Sequence, residues 1–333
     1  MKNNWLMKKK EGLYCIPGDF YIDPTYPVNY ALITHSHTDH ARPGNKKILG
    51  TEDTVNIMKL RYGENYCQFS QKIEFGDSLR IKGVNIKFIP AGHIIGSSQI
   101  YLEYKGEIIV VSGDYKRRKD LTCDPFEVIK CHTFITEATF GLPIFSHPSD
   151  IDETSKLIRS ISENSDHCHL IGVYALGKCQ RLITLLRKSG FNDAIYLHGA
   201  LMKISNYYID RKINLGKLRN VSELKTSDYS NKLILCPPSS LSDRWSQKFN
   251  KVIKGFVSGW MGIKQRIKQK NIQLPIIISD HADWNEILNT IEEISPEKVL
   301  VTHGREEGLL SYLKQKKVSC NALNLIGFED EDD

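Results

Sequence analysis

Three histidines and an aspartate fall within six consecutive positions, at His35, His37, Asp39 and His40. Imidazole nitrogen and carboxylate oxygen are ligands for borderline divalent metals, zinc above all. In an extended segment His35 and His37 point to the same side, because side chains alternate with period two. Asp39 and His40 are adjacent, so a turn after them can direct both to a second ion; the spacing reads as ligands for two nearby metals. A polar loop in a histidine-rich chain would be the bland reading, but 11 histidines in 333 residues make this cluster far denser than chance. The cluster follows the apolar run Tyr30–Ile33 and precedes Pro43-Gly44, the pattern of a strand that delivers a site to a sheet edge and then turns.

Other stretches repeat this pattern of a β run ending in a polar group. AGHIIGSSQ surrounds His93, SGDYK surrounds Asp114, EATFG surrounds Glu137, SDHADW surrounds His281, and VTHG surrounds His303. Lys116-Arg117-Arg118-Lys119 begins two residues after Asp114. Such a run either contacts a phosphate backbone, with Lys116 and Arg117 the candidates, or pairs with neighbouring acids such as Asp120 and Asp124.

The elements that must position these groups are short strands and amphipathic helices. Glu52–Tyr62 has helical periodicity and stops at Gly63. Arg61, near its end, reads as surface, with a substrate-facing side chain as the alternative. Ser98–Tyr104 and Glu107–Val111 read as a hairpin turning at Lys105-Gly106. From about Leu142 the pattern changes to helices near 152–162 and 179–188 alternating with short strands, a small α/β unit. LPIIIS at 274–279 reads as a buried strand that emits Asp280 and His281. The expected division is 1–145 for the first part of a core, 146–270 for an insertion and 271–333 for the second part of the core.

The chain is 41% hydrophobic and 25% charged, an ordinary globular composition, and no apolar run approaches the roughly 20 residues of a membrane helix. The charged N-terminus lacks the apolar run of a secretory signal, so the expected location is cytoplasmic, with no membrane partner. Eight scattered cysteines without a CxxC pair read as free thiols in a reducing compartment. The net charge of +6 favours a polyanionic partner. The acidic stretch Glu329–Asp333 reads as a frayed tail.

HSHTDH and the five motifs after it resemble the metallo-β-lactamase superfamily, in particular its β-CASP branch of nucleases, over nearly the whole chain. Within that branch the likeness is to the SNM1-like exonucleases associated with bacterial DNA ligase. The resemblance implies an α/β fold, a metallo-β-lactamase αββα sandwich with an inserted β-CASP-like cap. It implies two Zn²⁺, with Mn²⁺ as an activating substitute: His35, His37 and His93 on one ion, Asp39, His40 and His303 on the other, and Asp114 bridging. Asp39, Glu137 and His281 are the expected catalytic residues, with Glu137 orienting His281, which protonates the leaving oxygen. The exchange of His281 and His303 between ligand and phosphate contact is the rival assignment.

Asp23 is expected to support the ligands from behind, with an ordinary Asp-Pro turn as its alternative. Lys178, in ALGK, and Ser258, in SGW, are candidate phosphate or nucleic-acid contacts. The implied function is a metal-dependent DNA exonuclease that hydrolyses phosphodiester bonds through a zinc-activated hydroxide in DNA repair. Its expected partners are DNA, single-stranded or with a free end, and RNA as a second substrate. A functional link to an ATP-dependent DNA ligase and a helicase is also expected. The rival readings are a β-CASP ribonuclease of RNA processing and a non-catalytic nucleic-acid-binding factor.

Overall fold

The structure is a computed structural model and describes residues 5–225, 228–304 and 306–323; the acidic stretch Glu329–Asp333 lies outside the described residues. The chain divides into two units, Met1–Phe145 with His281–Asp333, and Ser146–Asp280.

The first unit opens with β1 (Leu6–Lys9), β2 (Gly12–Cys15), β3 (Phe20–Ile22), β4 (Tyr30–Leu32) and β5 (Asn45–Thr51). Helix α1 (Glu52–Tyr62) follows, with Thr51 as N-cap and Gly63 closing it at φ +82°. Then come β6 (Cys67–Ile73), β7 (Ser78–Ile81), β8 (Val84–Pro90), β9 (Ser98–Tyr104), β10 (Glu107–Val111) and β11 (Thr133–Ala138). The second unit holds α2 (Asp150–Glu163), β12 (Cys168–Gly172), α3 (Lys178–Lys188), β13 (Ile195–Leu197), α4 (Gly199–Asp210) and β14 (Leu218–Asn220). It continues through β15 (Leu233–Cys236), β16 (Val252–Val257), the short α5 (Lys264–Gln269) and β17 (Leu274–Ile276). The chain then re-enters the first unit as α6 (Trp284–Ile294), β18 (Lys298–Gly304), α7 (Glu306–Gln315) and β19 (Cys320–Ala322).

Two mixed sheets build the first unit, in the orders β1-β2-β3-β4-β5-β6 and β19-β18-β11-β10-β9-β8-β7. Alternation along the strands puts one face of each into a shared core: Leu13, Leu32 and Leu49 from the first pack with Phe88, Ile100, Leu102 and Ile135 from the second. The other face of the first sheet is covered by Val55 and Met58 of α1, against Ala31, Ile33 and Ile48. The other face of the second is covered by Ile287 and Ile291 of α6 and Leu309 and Leu313 of α7, against Val110, Phe134, Val299 and Val301. This α/β layering, with an extra α/β region, is consistent with a metallo-β-lactamase-like arrangement.

The second unit is a six-stranded sheet, β14-β13-β15-β12-β16-β17, in which every pair is parallel. Its central strands β12 and β15 are buried throughout, as parallel strands covered by crossover helices must be. The run before His281 forms only the short strand β17 and pairs with β16, in the sheet of the second unit. An apolar run reports burial and not which sheet buries it, so the sequence alone assigns this strand to the core. All eight cysteines are free thiols.

Candidate active site

The loop after β4 carries His35, His37, Asp39 and His40, and Asp23 organises it. Asp23 is buried; its Oδ1 accepts the backbone N–H of Thr34 at 2.8 Å and its Oδ2 accepts the Thr34 hydroxyl at 2.5 Å. The same Oδ2 takes the Nδ1–H of His40 at 2.8 Å. With its proton given to Asp23, Thr34 Oγ1 accepts from His35 Nδ1 at 3.0 Å. One carboxylate thereby sets the orientation of two imidazoles and leaves their Nε2 atoms facing inward.

Those Nε2 atoms converge on Asp114. Oδ2 of Asp114 lies 3.4 Å from Nε2 of His35, 3.4 Å from Nε2 of His40 and 3.7 Å from Nε2 of His93. Asp114 is delivered by β10 through Gly113, whose φ of +56° and 2.8 Å approach to Thr34, measured from a Cβ placed there, exclude a side chain. His93 follows β8; its backbone N–H is held by Ser97 Oγ at 3.1 Å, and its Nε2 lies 2.9 Å from Nδ1 of His37. Asp39 Oδ2 is 3.5 Å from His40 Nε2, and the His303 ring, at the end of β18, is centred 5.2 Å from that of His40.

Glu137 sits where the β11–β18 register shifts between Thr136 and Ala138, a bulge that re-aims its side chain. Its oxygens accept the Tyr115 backbone N–H at 2.7 Å, the Thr139 hydroxyl at 2.5 Å and His281 Nδ1 at 2.9 Å. The His281 ring is centred 4.7 Å from that of His93.

Burial, aided by His40, pushes the pKa of His35 well below its usual value, and burial with His281 does the same for His93. Burial lowers His303 to about 3. These imidazoles are therefore neutral and offer lone pairs. Burial opposes charge on His40 too, but the Asp114 and Asp39 carboxylates outweigh it and hold its pKa well above the usual value. Burial likewise opposes charge on Asp114, and His40 outweighs it, holding the carboxyl well below the usual range.

This donor set fits divalent metal. With Nδ1–H of His35 engaged by Thr34, its buried Nε2 makes no hydrogen bond, and it faces a carboxylate oxygen at 3.4 Å. Lone pair against carboxylate is repulsive unless a cation lies between them, and the raised pKa of His40 registers the same demand for positive charge. Among the described residues two clusters can hold ions: His35, His37, His93 and Asp114, and, sharing Asp114, Glu137 and His281; within each the ligand atoms lie within 4.8 Å of one another. The second differs from the Asp39, His40 and His303 set expected from the sequence. Glu137, however, already accepts three hydrogen bonds, which suits an orienting group better than a ligand.

The expected phosphate contacts are placed otherwise. Lys116 is fully buried, with its amine 2.5 Å from Asp120 Oδ2 and 3.3 Å from the His93 carbonyl. Arg117 donates to Thr290 Oγ1 and Glu293 Oε2, each at 2.8 Å. In the second unit Lys178 is 2% exposed and pairs with Asp280 Oδ2 at 3.1 Å. Ser258, also buried, accepts the Trp260 N–H at 3.2 Å. Lys116 and Lys178 cannot reach a solvent phosphate without breaking buried pairs.

Arg61, read as surface, instead grips the histidine loop: its guanidinium donates to the Ser36 carbonyl at 2.6 Å and the Thr38 hydroxyl at 2.5 Å. No local signal marks a helix-end arginine for that task.

Fold and site together define a buried centre whose ligand atoms can hold divalent metal. No protein-family profile matches the sequence, but individual proteins do. A probable DNA ligase of Opitutus terrae is 25% identical over 96% of this chain and 31% of its own length. An RNase J-like protein of Methanocaldococcus jannaschii is 25% identical over 86% of this chain and 83% of its own. The endoribonuclease ysh1 of Aspergillus fumigatus is 33% identical over 42% of this chain and 16% of its own. The chain thus spans less than a third of the ligase and the endoribonuclease. A crystal structure of an Enterococcus faecalis protein of unknown function shares the fold, with a TM-score of 0.60 at 13% identity over 90% of this chain and 79% of that one.

The chain is related to the β-CASP nucleases of the metallo-β-lactamase superfamily. The relatives also correct the expectation of a DNA exonuclease in repair: those that carry a nuclease name are RNA nucleases, an RNase J-like protein and endoribonucleases. Ligand motifs shared across the branch do not encode the sugar of the substrate.

Proposed function

We propose that this chain is a two-metal β-CASP-type ribonuclease that hydrolyses RNA phosphodiester bonds in RNA processing. The observation that carries the hydrolytic reading is the buried Glu137–His281 pair set beside the imidazoles that surround Asp114. The RNA reading is supported by the relatives named for that activity. A net charge of +6 suits a polyanion. In this reading the first unit is the αββα sandwich and the second the β-CASP-like domain.

His35, His37 and His93 would hold one ion, Asp39, His40 and His303 the other, with Asp114 between them. Bound divalent ions, zinc or manganese, would neutralise the phosphate and lower the pKa of an attacking water. Asp23 fixes the loop that presents His35 and His40. Glu137, fully buried, accepts from Nδ1–H of His281 and so directs the other ring nitrogen to carry the proton. Water adds across the P–O3′ bond: its hydroxyl goes to phosphorus and a proton goes through His281 to the 3′ oxygen. The products end in a 5′-phosphate and a 3′-hydroxyl.

The test is digestion of end-labelled RNA and DNA of one sequence with added Zn²⁺ or Mn²⁺. Cleavage of RNA with 5′-phosphate products supports the reading; cleavage of DNA alone overturns it. An Asp39→Ala variant that cuts RNA at the unaltered rate overturns the ligand assignment.

A further inference from the structure

The basic run after Asp114 has a use other than phosphate. Arg118 reaches the start of α6, where its Nη2 donates to Asp283 Oδ2 at 3.1 Å and its Nε to Glu286 Oε1 at 3.0 Å. Asp283 and Glu286 are the capping box of that helix. Asp283 Oδ1 accepts the Glu286 N–H at 3.0 Å, and Glu286 Oε2 accepts the Asp283 N–H at 3.1 Å. Each carboxylate therefore gives one oxygen to the cap and the other to the same guanidinium. Between the two segments, the Tyr115 carbonyl accepts the Ala282 N–H at 2.7 Å, and the Tyr115 N–H donates to Glu137 at 2.7 Å. Residues 114–118 are thus joined to residues 281–286, with Asp114 at one end and His281 at the other.

We propose that Arg118 is a positioning residue for His281, acting by clamping both carboxylates of the α6 cap two residues beyond it. The rigid fork of a guanidinium holds two acceptors at once, as a lysine point charge cannot. Without it, two neighbouring carboxylates repel at the helix start, the first turn loosens, and His281 loses its fixed aim. Misplacement of a proton donor by about 1 Å costs on the order of 100-fold in rate. The inference rests on the reading of His281 as proton donor to the leaving oxygen.

The test compares Arg118→Met, Arg118→Lys and His281→Ala on two substrates. RNA leaves an alkoxide that needs a proton; bis(p-nitrophenyl) phosphate leaves p-nitrophenolate, which does not. Arg118→Met is expected to lower kcat on RNA roughly 10- to 100-fold with KM within about twofold. Its zinc content should be unchanged and its rate on the aryl ester nearly so, with Arg118→Lys between it and the unsubstituted protein. Should Arg118→Met fail to fold, Arg118→Lys carries the same comparison. Equal losses on both substrates, or loss of zinc, in a protein whose His281→Ala variant is selective for RNA overturn the role of Arg118 alone. A His281→Ala variant that loses both substrates equally overturns the proton-donor reading, and the clamp with it.

Discussion

Asp23 Oδ2 lies 2.8 Å from Nδ1 of His40 and 2.5 Å from the Thr34 hydroxyl, so a single buried oxygen aims one imidazole directly and a second through Thr34. Removing a carboxylate behind a metal-binding histidine typically costs 10- to 100-fold in affinity. Asp23→Ala should therefore weaken zinc about 10- to 100-fold in a chelator competition. Asp23→Asn, which keeps one acceptor, should weaken it less. Unaltered zinc affinity in Asp23→Ala would mean the loop is held by other contacts.

Glu137 is nearly isosteric with glutamine but is fully buried beside His281. Glu137→Gln should lower kcat on RNA by about 100-fold or more, the usual size of a proton-transfer contribution, with zinc content unchanged. Adding His281→Ala to it should cost little more, because the two residues act as a unit. Multiplicative losses in the double variant would contradict that pairing.

Gly92 turns the chain into His93 at φ +75°, and a Cβ there would stand 2.4 Å from the Lys116 carbonyl oxygen. Backbone cannot yield as a side-chain tip can. Gly92→Ala should destabilise the protein by roughly 1–3 kcal/mol, from the left-handed backbone and the clash together. The same shift should displace His93 and lower zinc affinity. Denaturant unfolding and chelator competition check the two parts, and a neutral substitution would show that the loop is free to move.

His169 in β12 is fully buried and 2.9 Å from Ser160 Oγ. Burial, with His167 adding to it, lowers its pKa to about 4 from the usual 6.5. Between those two values the unfolded chain binds the proton and the folded chain does not, so stability falls as pH drops through that window. Below about pH 4 both states are protonated and the loss is complete, on the order of 3 kcal/mol. Between pH 7 and pH 5 the unsubstituted protein should lose about 2 kcal/mol more than His169→Gln. Parallel pH profiles in urea unfolding would rule out His169 as the cause.

Part of the site was legible because several candidate ligands cluster in one stretch: His35, His37, Asp39 and His40 share the loop after β4, and strands ending in a polar group mark a sheet edge. The hairpin at Lys105-Gly106 and helix α1 follow from turn chemistry and periodicity in the same way. The Arg61 and Arg118 contacts were not legible, since a long cationic side chain carries no local signal of its partner.

Residue type and spacing pointed to divalent-metal chemistry and to His35, His37, His93 and Asp114 as one cluster, but not to the second cluster that Asp114 forms with Glu137 and His281. Tertiary structure decided the partners of the charges. Lys116 meets Asp120 in the first unit and Lys178 meets Asp280 in the second. It also decided that the apolar run before His281 pairs with β16. The physical reason is common to both: charge and hydrophobicity state what a side chain needs, burial or a counter-ion, and only the folded arrangement of distant segments states which group meets that need.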